Sequence, residues 1–234
     1  MSHRVGVLVP SSNTVLEVDL YRHLPVDCTV HTARMRLIAT TPEAEAEMLD
    51  RYALPVATDL ATARPEVVLF GCTSAGALRG REYDRELCDR IGKICGCPVV
   101  SVIVAVRERL RSVGTARVGV ITPYVEELNA RIATSLEGEG LKVVAIRGLG
   151  ITENFEIAAV SPEEIVTFAI QALSDVEFDA LFVSCTNFRG IEAASQLEQT
   201  FQRPVVTSNS AALVELVAVL EGRGTRQLTG EQLM

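Results

Sequence analysis

Short, unbroken apolar runs alternate with longer amphipathic stretches along this 234-residue chain. The runs are rich in β-branched residues. They fall at about 4–10, 29–36, 66–71 and 98–101, then at 117–122, 141–147, 179–184 and 204–207. A run such as Val67-Val68-Leu69-Phe70 has no polar face, which suits a parallel strand covered on both sides. The stretches between the runs predict helices, several with start signals. Thr14 and Glu17 have the spacing of a capping box, and Ser161-Pro162-Glu163-Glu164 repeats it with proline at the first helical position. Thr41-Pro42-Glu43 opens a third helix, expected to kink or break at Pro55. Strand and helix alternate throughout, which predicts an α/β protein with parallel sheets.

The pattern is written twice. Arg4-Val5-Gly6-Val7-Leu8-Val9-Pro10 recurs as Arg117-Val118-Gly119-Val120-Ile121-Thr122-Pro123, an offset of 113 residues (117 − 4). The segment ending Phe70-Gly71-Cys72-Thr73 recurs at the same offset (185 − 72) as Val183-Ser184-Cys185-Thr186. Pro98-Val99-Val100-Ser101 matches Pro204-Val205-Val206-Thr207 at a slightly shorter one. Two copies are too few for a solenoid, so the chain is a duplicated domain. The expectation is two similar doubly wound parallel-sheet lobes related by a pseudo-two-fold. Residues 1–110, completed by a helix at 210–222, make the first, and residues 111–209 the second. Residues 223–234 lack an apolar pattern and are expected to fray.

Composition narrows the classes. At 48% hydrophobic residues the chain is not intrinsically disordered, and a net charge of −8 argues against a nucleic-acid or anionic-membrane surface. No run approaches the roughly 20 apolar residues of a membrane span, and the N-terminus lacks a signal-peptide layout, so a soluble cytoplasmic protein is expected. Neither GxGxxG nor GxxxxGK[ST] occurs. The six cysteines (Cys28, Cys72, Cys88, Cys95, Cys97 and Cys185) include no CxxC pair, and the three histidines all lie near the N-terminus. Free thiols and no metal site are expected.

In open α/β sheets ligands bind beyond the carboxyl ends of the strands. Polar residues gather there in Pro10-Ser11-Ser12-Asn13-Thr14, Cys72-Thr73-Ser74, Thr122-Pro123-Tyr124, around Asn154, in Cys185-Thr186-Asn187 and in Ser208-Asn209-Ser210. Cys72 and Cys185 close equivalent strands, so a pseudo-two-fold sets them facing one another. Each precedes a helix N-terminus, whose N–H groups favour a thiolate and bind carboxylate oxygens. A thiol pair around one carbon suits proton removal on one face and delivery on the other. A strand-end cysteine is also commonly a small buried hydrophobe. Asn13 could be a helix cap, Tyr124 a core ring and Asn154 a turn residue. Arg79 and Arg189 follow the two cysteine motifs, with either carboxylate contact or plain solvation as their role. Glu17 and Asp19 read as capping and solvated residues.

These motifs resemble the aspartate/glutamate racemase superfamily, most closely its maleate cis-trans isomerase branch and a branch tied to ectoine utilisation. The likeness covers about residues 4–222, and Val7-Leu8-Val9-Pro10-Ser11-Ser12-Asn13-Thr14-Val15-Leu16-Glu17 is its most specific part. It implies a homodimer or higher homo-oligomer acting on a small dicarboxylate with no cofactor. Cys72 and Cys185 are then catalytic. Asn13, Tyr124 and Asn154, with Thr73, Ser74, Thr186 and Asn187, bind substrate. Cys72 as thiolate would add to the alkene, and Cys185 would handle a proton on the opposite side. Thr186-Asn187-Phe188-Arg189 is more polar than the family's usual sequence after the second cysteine. Relatives that decarboxylate have glycine at the position of Cys72. Amino-acid racemases of the superfamily often set an acidic or histidine partner beside a cysteine, and none stands near either one in this sequence. A two-cysteine racemase or epimerase of an amino acid or ectoine-derived intermediate is the alternative, and a non-catalytic small-acid sensor is a third.

Overall fold

A computed structural model describes residues 3–138 and 140–222. Residues 223–234, expected to fray, lie outside the described residues. The first lobe runs β1 (His3–Pro10), α1 (Leu16–His23), β2 (Cys28–Met35), α2 (Pro42–Arg51), α3 (Ala53–Ala61), β3 (Val67–Phe70), α4 (Thr73–Leu78), α5 (Gly80–Cys95), β4 (Val99–Ser101) and α6 (Val102–Ser112). The second runs β5 (Arg117–Thr122), α7 (Glu126–Leu136), β6 (Lys142–Gly148), α8 (Asn154–Ile157), α9 (Pro162–Leu173), β7 (Ala180–Val183), α10 (Gly190–Phe201) and β8 (Val205–Thr207), and α11 (Ser208–Leu220) ends the chain's described elements.

Each lobe holds one four-stranded parallel sheet, ordered β2-β1-β3-β4 and β6-β5-β7-β8. The repeat extends to register. Val5 pairs with Val67, and 113 residues on, Val118 pairs with Ala180. The apolar runs are buried on both faces: every residue of β3 and β7 is buried. In each sheet the chain turns one way from its first strand and then returns to the other side. The loops after β1 and β3, and after β5 and β7, therefore part and leave a crevice. The repeat-equivalent helices α6 and α11 pack on one another, as elements beside a local two-fold must. Besides α6, α11 touches α1, β3 and β4 of the first lobe and α10 and β8 of the second.

Local chemistry explains most helix ends. Ser161 and Glu164 form the expected capping box of α9, and Thr41 Oγ1 accepts the Ala44 N–H at the start of α2. The break expected at Pro55 falls at Tyr52, between α2 and α3. Proline lacks an N–H for the carbonyl four residues earlier and its ring crowds that carbonyl, so the ladder fails at Arg51 rather than at the proline. The Thr14–Glu17 box does not form. Asn13 Oδ1 accepts from both Val15 N and Leu16 N and so caps α1. The Thr14 N–H is taken by Asn187 and the Glu17 carboxylate by Arg34. Asp19 is not solvated either. It is buried against Asn209 of α11, whose amide donates to it at 2.7 Å, and burial raises its pKa. Among the described residues no helix is long and apolar enough to cross a membrane.

Candidate active site

The carboxyl ends of β1, β3, β5 and β7 bring the candidate residues to the seam between the lobes. Two threonines at equivalent places rivet it. Thr73 Oγ1 donates to Ser208 Oγ at 2.9 Å, and Thr186 Oγ1 donates to Gly71 O at 3.0 Å while accepting from Asn13 Nδ2 at 3.0 Å. Ser208 Oγ also accepts the Cys185 N–H at 3.0 Å. Asn154 bridges as well. Its Nδ2 donates to Ser12 Oγ at 2.8 Å, and its Oδ1 accepts from Thr40 Oγ1 at 3.1 Å. A strap at 38–40 pairs with 152–154 over the same seam, through Thr40 N to Thr152 O and Asn154 N to Ile38 O.

Inside this frame lie Cys72 and Cys185, 5% and 7% exposed. Both are near enough to Tyr124 for their charges to act on its hydroxyl. Burial pushes both thiols up, Cys72 far above its ordinary value and Cys185 to about 11. The environments differ. Cys185 is surrounded by donors: the Tyr124 hydroxyl, the Asn187 N–H at 3.3 Å and the Phe188 N–H. Each favours its thiolate. Cys185 also holds φ at +108°, a region that costs an L residue energy. Cys72 sits in relaxed extended backbone, with the Ala75 N–H and, at 3.8 Å, Ser74 Oγ beside its sulfur.

Behind Ser74 stands a residue that the sequence reading did not find. The Ser74 hydroxyl donates to Glu45 Oε1 in a short contact. Glu45 is fully buried, its Oε2 has no partner, and burial raises its pKa to about 8. This corrects the expectation that no acid stands beside a cysteine. Glu45 lies 27 residues before Cys72 in the chain (72 − 45), and α2 carries it in. The signal was its place on the apolar stripe of α2 with Met48 and Leu49, spaced i, i+3, i+4. Ser208 was also missed as a site residue, although its strand-end segment had been noted.

The structure brings together Asn13, Cys72, Thr73, Ser74, Tyr124, Asn154, Cys185, Thr186 and Asn187, with different availability. The Asn187 side chain accepts from Thr14 N and donates one of its two amide hydrogens to Asn154 O at 2.6 Å. The Thr73, Ser74 and Thr186 hydroxyls are likewise engaged. Asn13 caps α1, as one of its two readings required, yet commits only one of its two amide hydrogens within the protein. Tyr124 is buried and bonded to Cys185, so it is more than a core ring. Arg79 is held by Asp50 at 2.6 and 2.7 Å and stacks on Tyr83, and Arg189 pairs with Glu192 at 2.9 Å. Among the described residues the only buried cation is Arg107, which interacts with Asp84 and Ser135. The side-chain donors around the two thiols are therefore neutral. Cys95 donates to Ala57 O, and no group of three or more His, Cys, Asp or Glu among the described residues is placed to hold a metal.

Comparison with known proteins gives this arrangement a context. A family model described as arylmalonate decarboxylase matches residues 5–233. A maleate isomerase of Alcaligenes faecalis is 28% identical, covering 95% of this chain and 92% of that protein. Among solved structures, a Cys-to-Ala variant of the maleate isomerase Iso of Pseudomonas putida S16 with maleate has a TM-score of 0.88 at 26% identity, covering 94% of this chain and 93% of that one. A Cys-to-Ser mutant of the Nocardia farcinica maleate cis-trans isomerase, with a covalently bound succinylcysteine intermediate, has a TM-score of 0.87 at 27% identity, covering 94% of each chain.

Proposed function

The chain belongs to the arylmalonate decarboxylase family, and from that premise we propose that it is a cofactor-independent cis-trans isomerase of a small unsaturated dicarboxylate, of the maleate-to-fumarate type, acting through a covalent cysteine adduct. The observation that carries this reading is the pair of buried thiols at repeat-equivalent strand ends, one beside an acceptor chain and the other ringed by donors. The succinylcysteine in the Nocardia relative is the adduct such chemistry forms.

Cys72 is the nucleophile. Its sulfur bonds to one alkene carbon, and the π electrons move toward the carboxylate on the other carbon, which becomes an aci-carboxylate. Cys185 protonates that carbon, and the thiolate left behind is stabilised by Tyr124 and the N–H groups of Asn187 and Phe188. The former double bond is now single and rotates. Cys185 takes the proton back, the carbon–sulfur bond breaks toward Cys72, and the trans alkene leaves. With Cys72 entering as the thiolate, its proton held by another group until elimination, protons and electrons balance between the two thiols and the substrate. The second amide hydrogen of Asn13, the Asn154 region and the first-turn N–H groups of α4 receive the carboxylates. Retention of a thiol at Cys72, where decarboxylating relatives have glycine, favours isomerisation. We place the enzyme in the cytoplasm, where its six free cysteines stay reduced, as a homodimer or larger homo-oligomer.

Proton NMR of the protein in D₂O with maleate tests the reading. Fumarate should form with the intact protein and not with Cys72→Ala. No fumarate, with deuterium entering the α-carbon of an amino diacid instead, would replace it with the two-thiol racemase.

A further inference from the structure

We infer that Glu45 is the base that readies Cys72, drawing its proton away through the Ser74 hydroxyl. The inference rests on the reading of Cys72 as the nucleophile. When Glu45 is ionised, Ser74 commits its only hydroxyl proton to Oε1. The contact between Cys72 Sγ and Ser74 Oγ, at 3.8 Å, can then have only the thiol as donor. The chain of donors therefore runs one way, from sulfur to serine to carboxylate.

Cys72 needs such an outlet. Burial raises its pKa steeply, and the charge of Glu45 raises it further. A carboxylate kept there as a fixed charge would oppose every thiolate formed beside it. The opposition disappears if the thiol proton ends on Glu45, because the pocket then holds one negative charge before and after the transfer. From α4 the Ser74 hydroxyl bonds to Glu45, whose charge acts on the Cys72, Cys185 and Tyr124 side chains. On α2 itself Glu43, Glu47, Asp50 and Arg51 are exposed, and so is Asp59 on α3. A carboxyl retained for packing would have both oxygens satisfied, whereas Oε2 has no partner.

The step balances. As the Cys72 sulfur bonds to the alkene carbon, its S–H bond breaks and the proton passes to Ser74 Oγ. The original Ser74 proton passes to Glu45 Oε1, Ser74 is a hydroxyl again, and the negative charge has moved from Glu45 to the adduct. Elimination returns each proton along the same path. Glu45 acts through Ser74, so it is a positioning and proton-holding residue that does not touch the substrate.

The test is the pH dependence of kcat/KM for maleate in the wild type, Glu45→Gln, Glu45→Asp, Ser74→Ala and the Gln/Ala double variant. Alkylation of Cys72 by iodoacetamide, followed on its own peptide, runs in parallel. The wild type should rise with pH and level off near pH 8, where Glu45 is ionised. Glu45→Gln should lose about 100-fold at pH 7.5, a usual share for general-base help. Its residual rate should climb with hydroxide and show no plateau. Glu45→Asp should recover part of the loss, Ser74→Ala should match Glu45→Gln, and the double variant should lose no more than either. A Glu45→Gln enzyme that keeps the wild-type profile, or reacts faster as relief of a fixed charge predicts, overturns the inference. Turnover by Cys72→Ser, or no maleate turnover by the wild type, overturns the reading beneath it. The alkylation rates then still decide whether Glu45 and Ser74 ready the thiol.

Discussion

Replacing Glu45 by glutamine should make the protein's stability less sensitive to pH, by an amount that the burial of this one side chain sets. In the unfolded chain a glutamate loses its proton near its ordinary pKa of 4.5, whereas in the fold burial holds Glu45 up to about 8. Between those values the folded state keeps a proton that the unfolded state has released. Stability therefore falls as pH rises through that window and stays lost above it. At about 1.4 kcal/mol per unit, the gap corresponds to about 5 kcal/mol, most of it spread between pH 5 and 8. Glutamine has the same shape and does not titrate, so Glu45→Gln should lack this decline. Asp84, which burial holds at about 6, gives a decline of the same sign in both proteins and cancels in the comparison. Urea unfolding followed by circular dichroism at pH 5, 6, 7 and 8 reads the difference directly. Between pH 5 and 8 the change is about 3.5 kcal/mol, so with a urea slope of roughly 2.5 kcal/mol per molar the wild-type midpoint should fall by about 1.4 M relative to the variant. Parallel declines in the two proteins would refute the burial argument.

Two further substitutions probe the frame around the second thiol. Cys185 holds φ at +108°, so Cys185→Gly should be at least as stable as Cys185→Ala, by about 1 kcal/mol in thermal unfolding, reversing the usual order. An alanine variant more stable than the glycine one would mean that the backbone there is unstrained. At Gly148 an added Cβ would strike the Tyr124 carbonyl and come within 3.0 Å of Thr122 Oγ1. Gly148→Ala should therefore cost about 2 kcal/mol of stability and lower kcat by shifting Tyr124 off Cys185. Unchanged melting and turnover would show that the loop after β5 gives way freely.

The sheet frame was legible because parallel, doubly covered strands leave a strong trace. Val67–Phe70 could be read as a strand from its lack of any polar face, and the 113-residue repeat marked two equivalent sheets, whose matching cross-strand register the structure adds. Helix starts were legible where the cap is local, as at Ser161 and Thr41. The Thr14–Glu17 box failed because its partners were claimed from afar, by Asn187 on the other lobe and Arg34 on β2. The same distinction governs the site. Both cysteines and the residues beside them could be found from strand ends, since topology dictates where those point. Asp19 and Glu45 could not be placed that way. Their burial depends on which helix face meets which neighbour, and only Glu45's position on an apolar stripe hinted at it.

Duplication explains why there are two thiols, while divergence around them decides what each does. Ser74 and Asn187 occupy equivalent places two residues after Cys72 and Cys185. Ser74 turns its hydroxyl to an acid, whereas Asn187 turns its backbone N–H to the sulfur. The helices behind them have parted too. Counted from the matching caps Thr41-Pro42 and Ser161-Pro162, the place of Glu45 on α2 is taken on α9 by Ile165, which is also buried. One thiol thus has a route by which its proton can leave, and the other has donors that hold the charge left when its proton is given up. Addition to an alkene with protonation of the neighbouring carbon needs one group of each kind. Two sites that had stayed alike would each supply only half of it. The polar network of Thr73, Thr186, Ser208 and Asn154 that locks the lobes together keeps these unlike environments in register across the seam.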